Sequence, residues 1–245
     1  MRILVSNDDG VFSPGIAALA KVAAEFGQVR VVAPDVEQSA MSHAITVRRP
    51  LHYTRTVIDG IEAFRVDGTP ADCVALGAHH WDAVDLVLSG INLGYNIGHN
   101  IWHSGTVAAA KQAAFLRIPA MAFSSAHLEA GTDYAKLAPF VRQAIKTFLG
   151  MPDMLLLNVN LPEDAKGVLW TRQSVRHYEG YVAEGLDPMG RKHYWFAEEP
   201  TEQVEEGTDR WAIENGYVSM TPLRLDLTDE VLLARARAAS GQSAG

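Results

Sequence analysis

Short apolar runs alternate with longer helical patterns through the first two-thirds of the chain, and this alternation restricts the fold more than any other feature. Ile3–Ser6, Val29–Ala33, Asp85–Ser89, Pro119–Ser124 and Leu155–Val159 read as strands. The first three are too continuously apolar to keep one face wet, as expected of parallel strands covered on both sides. Between the strands, Pro14–Phe26, Ala71–His79, Gly105–Leu116 and Thr132–Leu149 read as helices. Pro14 near the start of the first helix and Gly27 just past its end suit those positions. The series predicts an α/β fold, a Rossmann-like, doubly wound and mostly parallel sheet. Leu51–Thr56 and Ile61–Val66, turned at Ile58-Asp59-Gly60, read as a hairpin inserted into it.

Composition shifts after residue 162, which divides the chain into an α/β core over residues 1–162 and a C-terminal part over residues 163–245. Val175–Pro200 is rich in Tyr, Trp, Glu and Gly, with the turn Asp187-Pro188-Met189-Gly190 between two aromatic segments. It reads as a protruding hairpin whose aromatics either pack on the body or form an oligomer contact. A short helix is predicted from Asp229, and the tail Ala239–Gly245 is expected to be disordered.

A chain of 245 residues suits one large α/β domain, with or without a small appendage. The formal net charge of −8 gives no basic footprint for a nucleic-acid polymer or an anionic membrane. An anionic substrate would therefore need a local attractor, such as a metal ion or a helix N-terminus. The single cysteine, Cys73, excludes an internal disulfide and fits a reducing compartment. No signal-peptide core follows Met1, and no apolar run approaches the roughly 18 residues of a membrane span, so a cytoplasmic protein is expected.

The candidate chemistry lies where strands end, as ligands of open parallel sheets do. The first strand runs into Asn7-Asp8-Asp9-Gly10, whose adjacent acids need a cation or a basic partner. The second runs into a long polar loop, Ala33–Ser42, and the third into Ser89-Gly90-Ile91-Asn92-Leu93-Gly94-Tyr95-Asn96-Ile97-Gly98. Ser104-Gly105-Thr106 then precedes Val107-Ala108-Ala109-Ala110-Lys111, a good N-cap before strong helix formers. Such a helix start offers N–H groups, hydroxyls and a positive dipole end to a phosphate. Taken singly, these segments are a turn, a surface loop and a helix cap. Together they supply two carboxylates, a hydroxyl and amide oxygens, hard donors that suit Mg²⁺ or Mn²⁺ rather than zinc. A metal beside a helix N-terminus is an arrangement for hydrolysing phosphoesters.

These residues resemble the SurE survival-protein family of 5′/3′-nucleotidases. The resemblance rests on Ser6-Asn7-Asp8-Asp9-Gly10 with Pro14-Gly15, Val32-Ala33-Pro34-Asp35 leading to Ser39, and Gly68-Thr69-Pro70-Ala71-Asp72-Cys73-Val74. It continues through Ser89-Gly90-Ile91-Asn92 with Gly94 and Asn96, and Ser104-Gly105-Thr106-Val107-Ala108-Ala109. The match covers residues 1 to about 125 in order and is looser beyond, where Asp187-Pro188-Met189-Gly190-Arg191 carries it. It implies one divalent cation per subunit, Mg²⁺ or Mn²⁺, bound by Asp8, Asp9, Ser39 and Asn92. Phosphate is expected near Asn96 and Ser104-Gly105-Thr106. The implied reaction is hydrolysis of nucleoside monophosphates by a homodimer or homotetramer that exchanges C-terminal elements. Asn96–His103 departs from the family pattern, which bears on substrate preference.

On this reading Asp8 or Asp9 accepts a proton from the attacking water, while Asn96 and the Ser104-Gly105-Thr106 amides stabilise the equatorial oxygens. His103 is a candidate proton donor through its adjacency to Ser104, although packing or solvent exposure is the plainer role for it and for His43. Cys73 reads as a core residue. A haloacid-dehalogenase-like mechanism fits less well, because its two aspartates flank one residue and these are adjacent. A non-catalytic nucleotide binder would have to face paired aspartates toward phosphate, and both the Gly-x-Gly-x-x-Gly signature and the P-loop are missing. An assembly protein acting through its aromatic hairpin is the third alternative.

Overall fold

The computed structural model describes residues 1–126, 131–175, 178–200 and 204–240. The chain begins β1 (Arg2–Ser6), α1 (Pro14–Ala23), β2 (Gln28–Pro34), β3 (Tyr53–Ile58), β4 (Ile61–Val66) and α2 (Pro70–His79). It continues β5 (Leu86–Leu93), a 3-10 turn (Gly98–Trp102), α3 (Gly105–Phe115), β6 (Ala120–Ser125), α4 (Tyr134–Leu149) and β7 (Leu156–Leu161). The remainder is β8 (Val168–Trp170), β9 (Tyr178–Leu186), β10 (Lys192–Pro200), α5 (Asp209–Glu214), β11 (Val218–Pro222) and α6 (Glu230–Ala239).

Nine of these strands form one sheet in the order β3-β4-β2-β1-β5-β6-β7-β11-β8. From β4 to β7 the neighbours are parallel, while β3 and β11 run against their partners β4 and β7. The five strands and four helices expected from periodicity are all present, so the mixed, mostly parallel α/β architecture stands. The hairpin expected at 51–66 is present as β3 and β4, and β4 continues the main sheet beside β2. Periodicity missed β8, β11 and α5: β8 has three residues, and Ser219 and Thr221 break the apolar reading of β11.

Helix starts follow local chemistry. Ser13 caps α1 ahead of Pro14, and Thr69 with Asp72 forms a reciprocal capping box on α2. One sheet face packs Ile3, Val5, Leu88 and Phe123 against Ile16 and Leu19 of α1 and Val141 and Ile145 of α4. The other packs Leu4, Val32, Val87 and Ala122 against Cys73 and Val74 of α2 and Val107 and Ala110 of α3.

The crossovers are not all alike. From β5 to β6 the chain crosses the α3 face, but from β6 to β7 it moves the same way along the sheet over the opposite, α4 face. The two units therefore have opposite hands, while β1–α1–β2 and β5–α3–β6 share one; since parallel crossovers are right-handed as a rule, β6–α4–β7 is taken as the exception. The consequence is local: no helix of its own crossover covers the α3-side face at the end of β7. The loop after β5 settles there instead.

The segment expected as a protruding hairpin is β9 and β10, a two-stranded sheet of its own. Tyr194, Trp195 and Phe196 are 61%, 68% and 93% exposed, so these aromatics do not pack on the body. The helix expected from Asp229 is α6, capped by the Asp229 side chain and carrying no buried residue. Of the tail expected to be disordered from Ala239, Ala239 instead ends α6 and Ser240 caps it, while residues 241–245 lie outside the described residues.

Candidate active site

The turn after β1 is braced before it offers any chemistry. Asn7 is buried, and its Nδ2 donates to the Gly10 carbonyl at 3.0 Å and to Ser13 Oγ at 2.7 Å. Ser13 Oγ in turn accepts from the Ile16 N–H at the start of α1. Gly10 takes φ +99°, a conformation that favours glycine. The following loop is tied on by Val11 N–H to the Pro34 carbonyl and by Gln38 N–H to the Asp8 carbonyl, both at 2.8 Å. Strand end, helix start and loop thus form one hydrogen-bonded unit from which Asp8 and Asp9 project.

Asp8 reaches the first turn of α3. Its carboxylate accepts the Thr106 hydroxyl, and the backbone N–H groups of Gly105 and Thr106 also favour its charged form. Burial is the larger influence and pushes its pKa up, against these bonds. Ser104 Oγ accepts from the Val107 N–H and caps α3. Both hydroxyls expected to face a ligand are thus engaged within the chain, Thr106 as a donor to Asp8 and Ser104 as an acceptor in its own helix cap, with the Asp8 carboxylate at the positive end of the helix.

Asp9 is in a different state. Its Oδ2 is buried with no hydrogen-bond partner. Burial, then the charges of Asp8 and Glu37, raise its pKa to about 7, opposed by the Leu93 backbone N–H. Glu37 accepts the Ser39 hydroxyl at 2.6 Å. Asp9, Phe12, Asp35, Glu37, Ser39 and Leu93 border one open cleft of about 630 Å³.

Asn92, at the end of β5, donates Nδ2 to the Gly94 carbonyl at 2.7 Å. The hydroxyl of Ser39 and the amide of Asn92 are thus engaged by Glu37 and Gly94 rather than by either aspartate. Asn96 lies on the loop beyond and is 6% exposed. That loop is held from the far end of the chain: the Gly98 N–H donates to buried Asp209 Oδ2 at 2.9 Å, and Gln173 Nε2 donates to the Gly98 carbonyl at 2.8 Å.

Among the described residues, no three His, Cys, Asp or Glu side chains gather as a metal cluster. A cation here would rest on two carboxylates and neutral oxygens, a donor set for a hard divalent ion. The residues fit one: a buried carboxylate oxygen without a donor, beside a second carboxylate, is a site short of positive charge.

The histidines fall away from this centre. His43 stacks on Phe115 at 5.1 Å and bonds Gln112 at 2.9 Å, with its pKa lowered by burial. His103 is exposed, and its carbonyl accepts the Ser42 N–H. Cys73 is wholly buried in the core, which pushes its thiol pKa well up. Sequence reasoning missed Glu37, Asp209, Ser124, Asn158 and Asn160. Only the alternation Asn158-Val159-Asn160 in an otherwise apolar strand hinted at two polar side chains on one face.

The family profile described as "Survival protein SurE" matches residues 3–180. The chain is 53% identical to "5'-nucleotidase SurE 1" of Thermus thermophilus, over 93% of each chain. It is 45% identical to "5'-nucleotidase SurE" of Deinococcus radiodurans, over 95% of this chain and 90% of that one. Its fold matches the crystal structure of the SurE protein from Aquifex aeolicus with a TM-score of 0.85 at 41% identity, covering 98% of this chain and all of the other. By its profile match, its relatives and its fold, the chain belongs to the SurE family.

Proposed function

We propose that this cleft hydrolyses nucleoside monophosphates to nucleoside and phosphate, with a divalent cation, Mg²⁺ or Mn²⁺, held by Asp8, Asp9, Ser39 and Asn92. The observation that carries the reading is Asp9 Oδ2, a buried carboxylate oxygen without a donor beside Asp8 at the carboxyl edge of the sheet. Family members whose names include 5'-nucleotidase support the substrate class. A bound cation supplies positive charge and Lewis acidity at the phosphate.

The chain's own groups divide the remaining work. Asp8 is bonded to Thr106 and sits at the α3 terminus, so it serves as a fixed carboxylate. Asp9 borders the cleft, and its buried Oδ2 has no protein donor, which suits the carboxylate to accept the proton of the attacking water. Asn96 and the Ser104 hydroxyl, which accepts from the Val107 N–H and keeps its own proton to donate, steady the phosphate oxygens, rather than the Gly105 and Thr106 amides that favour Asp8. Residues 1–162 carry this chemistry, while residues 163–245 brace the loop at Gly98 through Gln173 and Asp209 and present the hairpin for assembly. The exposed Trp195 and Phe196 of the β9–β10 hairpin support a homodimer or homotetramer. Among the described residues no helix is long and apolar enough to cross a membrane, in keeping with work in the cytoplasm.

Phosphate release from 5′-AMP, 3′-AMP and a generic aryl phosphate, with Mg²⁺ or Mn²⁺ present, tests the substrate class. Faster release from the nucleotides supports the proposal. Release from the aryl phosphate alone, or from none of the three, overturns it.

A further inference from the structure

Asn96 is gripped from three sides by residues that lie far from it in sequence. Its backbone N–H donates to Asn160 Oδ1 at 2.8 Å, and its carbonyl accepts from Asn160 Nδ2 at 3.1 Å. One side-chain amide therefore pairs with both polar groups of one residue, as a neighbouring strand would. Asn158 Nδ2 adds a second donor to the same carbonyl at 2.7 Å. The Asn96 side chain is held as well, because its Nδ2 donates to Ser124 Oγ at 2.8 Å. Ser124, Asn158 and Asn160 are 0%, 1% and 0% exposed. Every bond in the set is shielded from water.

The topology explains why these residues meet. In β7, Leu157, Val159 and Leu161 point into the α1–α4 core, so alternation turns Asn158 and Asn160 to the α3 side. Because α4 crosses on the other face, that side of β7 is open to the loop between β5 and α3. Ser124 and Asn160 are register partners on adjacent parallel strands, so their side chains stand together beneath the same loop. A purely structural anchor would need only the backbone of that loop. Here the amide of Asn96 is fixed too, with one Nδ2 hydrogen on Ser124 and the second left for another acceptor.

We propose that Asn160, Asn158 and Ser124 are positioning residues that act through Asn96, holding its amide at the angle from which it meets the phosphate. The proposal rests on the phosphatase reading of the cleft, but its structural half does not. Without the clamp Asn96 still reaches the substrate, yet it is no longer held in the arrangement that the transition state favours. The expected loss is therefore in kcat rather than KM.

The test is a mutant cycle with AMP on the metal-loaded, full-length protein: Ser124→Ala, Asn160→Ala and Asn96→Ala, with each of the first two also combined with the third. Each positioning variant should lower kcat about tenfold with KM within about twofold. Neither should lower it further once Asn96 is alanine. Equal losses with and without Asn96, or no loss in the single variants, would overturn the proposal. Ser124→Ala removes only one hydroxyl and carries the test if Asn160→Ala does not fold. Nitrogen-15 relaxation of the Asn96 side-chain amide gives a readout free of turnover. The amide should be ordered in the wild type and looser in Ser124→Ala and Asn160→Ala, and unchanged order in both would sink the clamp. Wild-type protein that releases no phosphate would defeat the functional reading alone, and relaxation would still decide the positioning.

Discussion

The Asp8 carboxylate occupies the space that a side chain on residue 105 would need. A Cβ placed on Gly105 would lie 2.7 Å from Asp8 Cβ and 2.9 Å from its Oδ2. Glycine is required here for close approach, since it lets the first turn of α3 close directly onto the carboxylate.

Gly105→Ala should therefore displace Asp8 even though alanine is the better helix former. Phosphate release is expected to fall about a hundredfold, the scale on which small misplacements act. Far-ultraviolet circular dichroism should stay unchanged. Wild-type activity in this variant would mean that the contact between Asp8 and α3 has no part in the reaction.

Asp9, whose Oδ2 has no partner, gives a pH dependence with a definite sign. In the fold its carboxyl holds a proton up to about pH 7, against an ordinary value of 3.8. Between these values the folded metal-free chain binds more protons than the unfolded one, so its stability falls as pH rises from about 4 to 7. A cation that takes the place of that proton should raise Tm more at pH 8 than at pH 6. Thermal melts with and without Mn²⁺ check this, and Asp9→Asn should flatten both dependences.

Asp209 binds the active-site loop to the C-terminal part of the chain. Its two carboxylate oxygens accept the Gly98 and Ser174 N–H groups, each at 2.9 Å. Asp209→Ala leaves these two donors and the Arg210 N–H, which also bonds Oδ1, without their partner and should cost about 2 kcal/mol or more. That corresponds to a fall of roughly 4–8 °C in Tm for a domain of this size. Asp209→Asn keeps one acceptor and should lose less, as calorimetry can measure.

How much of this was legible in sequence depended on the range of each signal. Apolar periodicity reports local structure, and it located β1, β2, β5, β6, β7 and four helices. It could not reveal that α4 crosses the sheet on the face opposite α3, because an amphipathic stripe does not say which face it covers. Asp8 and Asp9 stood out because two adjacent acids at a strand end conflict electrostatically, wherever the rest of the chain goes. Asn158 and Asn160 carry meaning only through Asn96, which lies 62 and 64 residues away. Asp209 meets Gly98 across 111 residues. The alternation Asn158-Val159-Asn160 marks two polar side chains on one face of an apolar strand, but nothing local says which residue they hold.

The exposed aromatics of β10 make the assembly proposal testable. Trp195→Glu with Phe196→Glu should lower the mass of the assembly in light scattering while leaving phosphate release per chain intact. An unchanged mass would remove the hairpin from the interface.

The most direct test of the central claim is phosphate release from AMP by purified protein stripped with EDTA, then given Mg²⁺ or Mn²⁺, alongside Asp8→Asn. The account predicts no release after stripping, recovery with either cation, and a loss of at least about a hundredfold in the variant under the same conditions. Full release in EDTA, or an Asp8→Asn protein as active as the wild type, would contradict it.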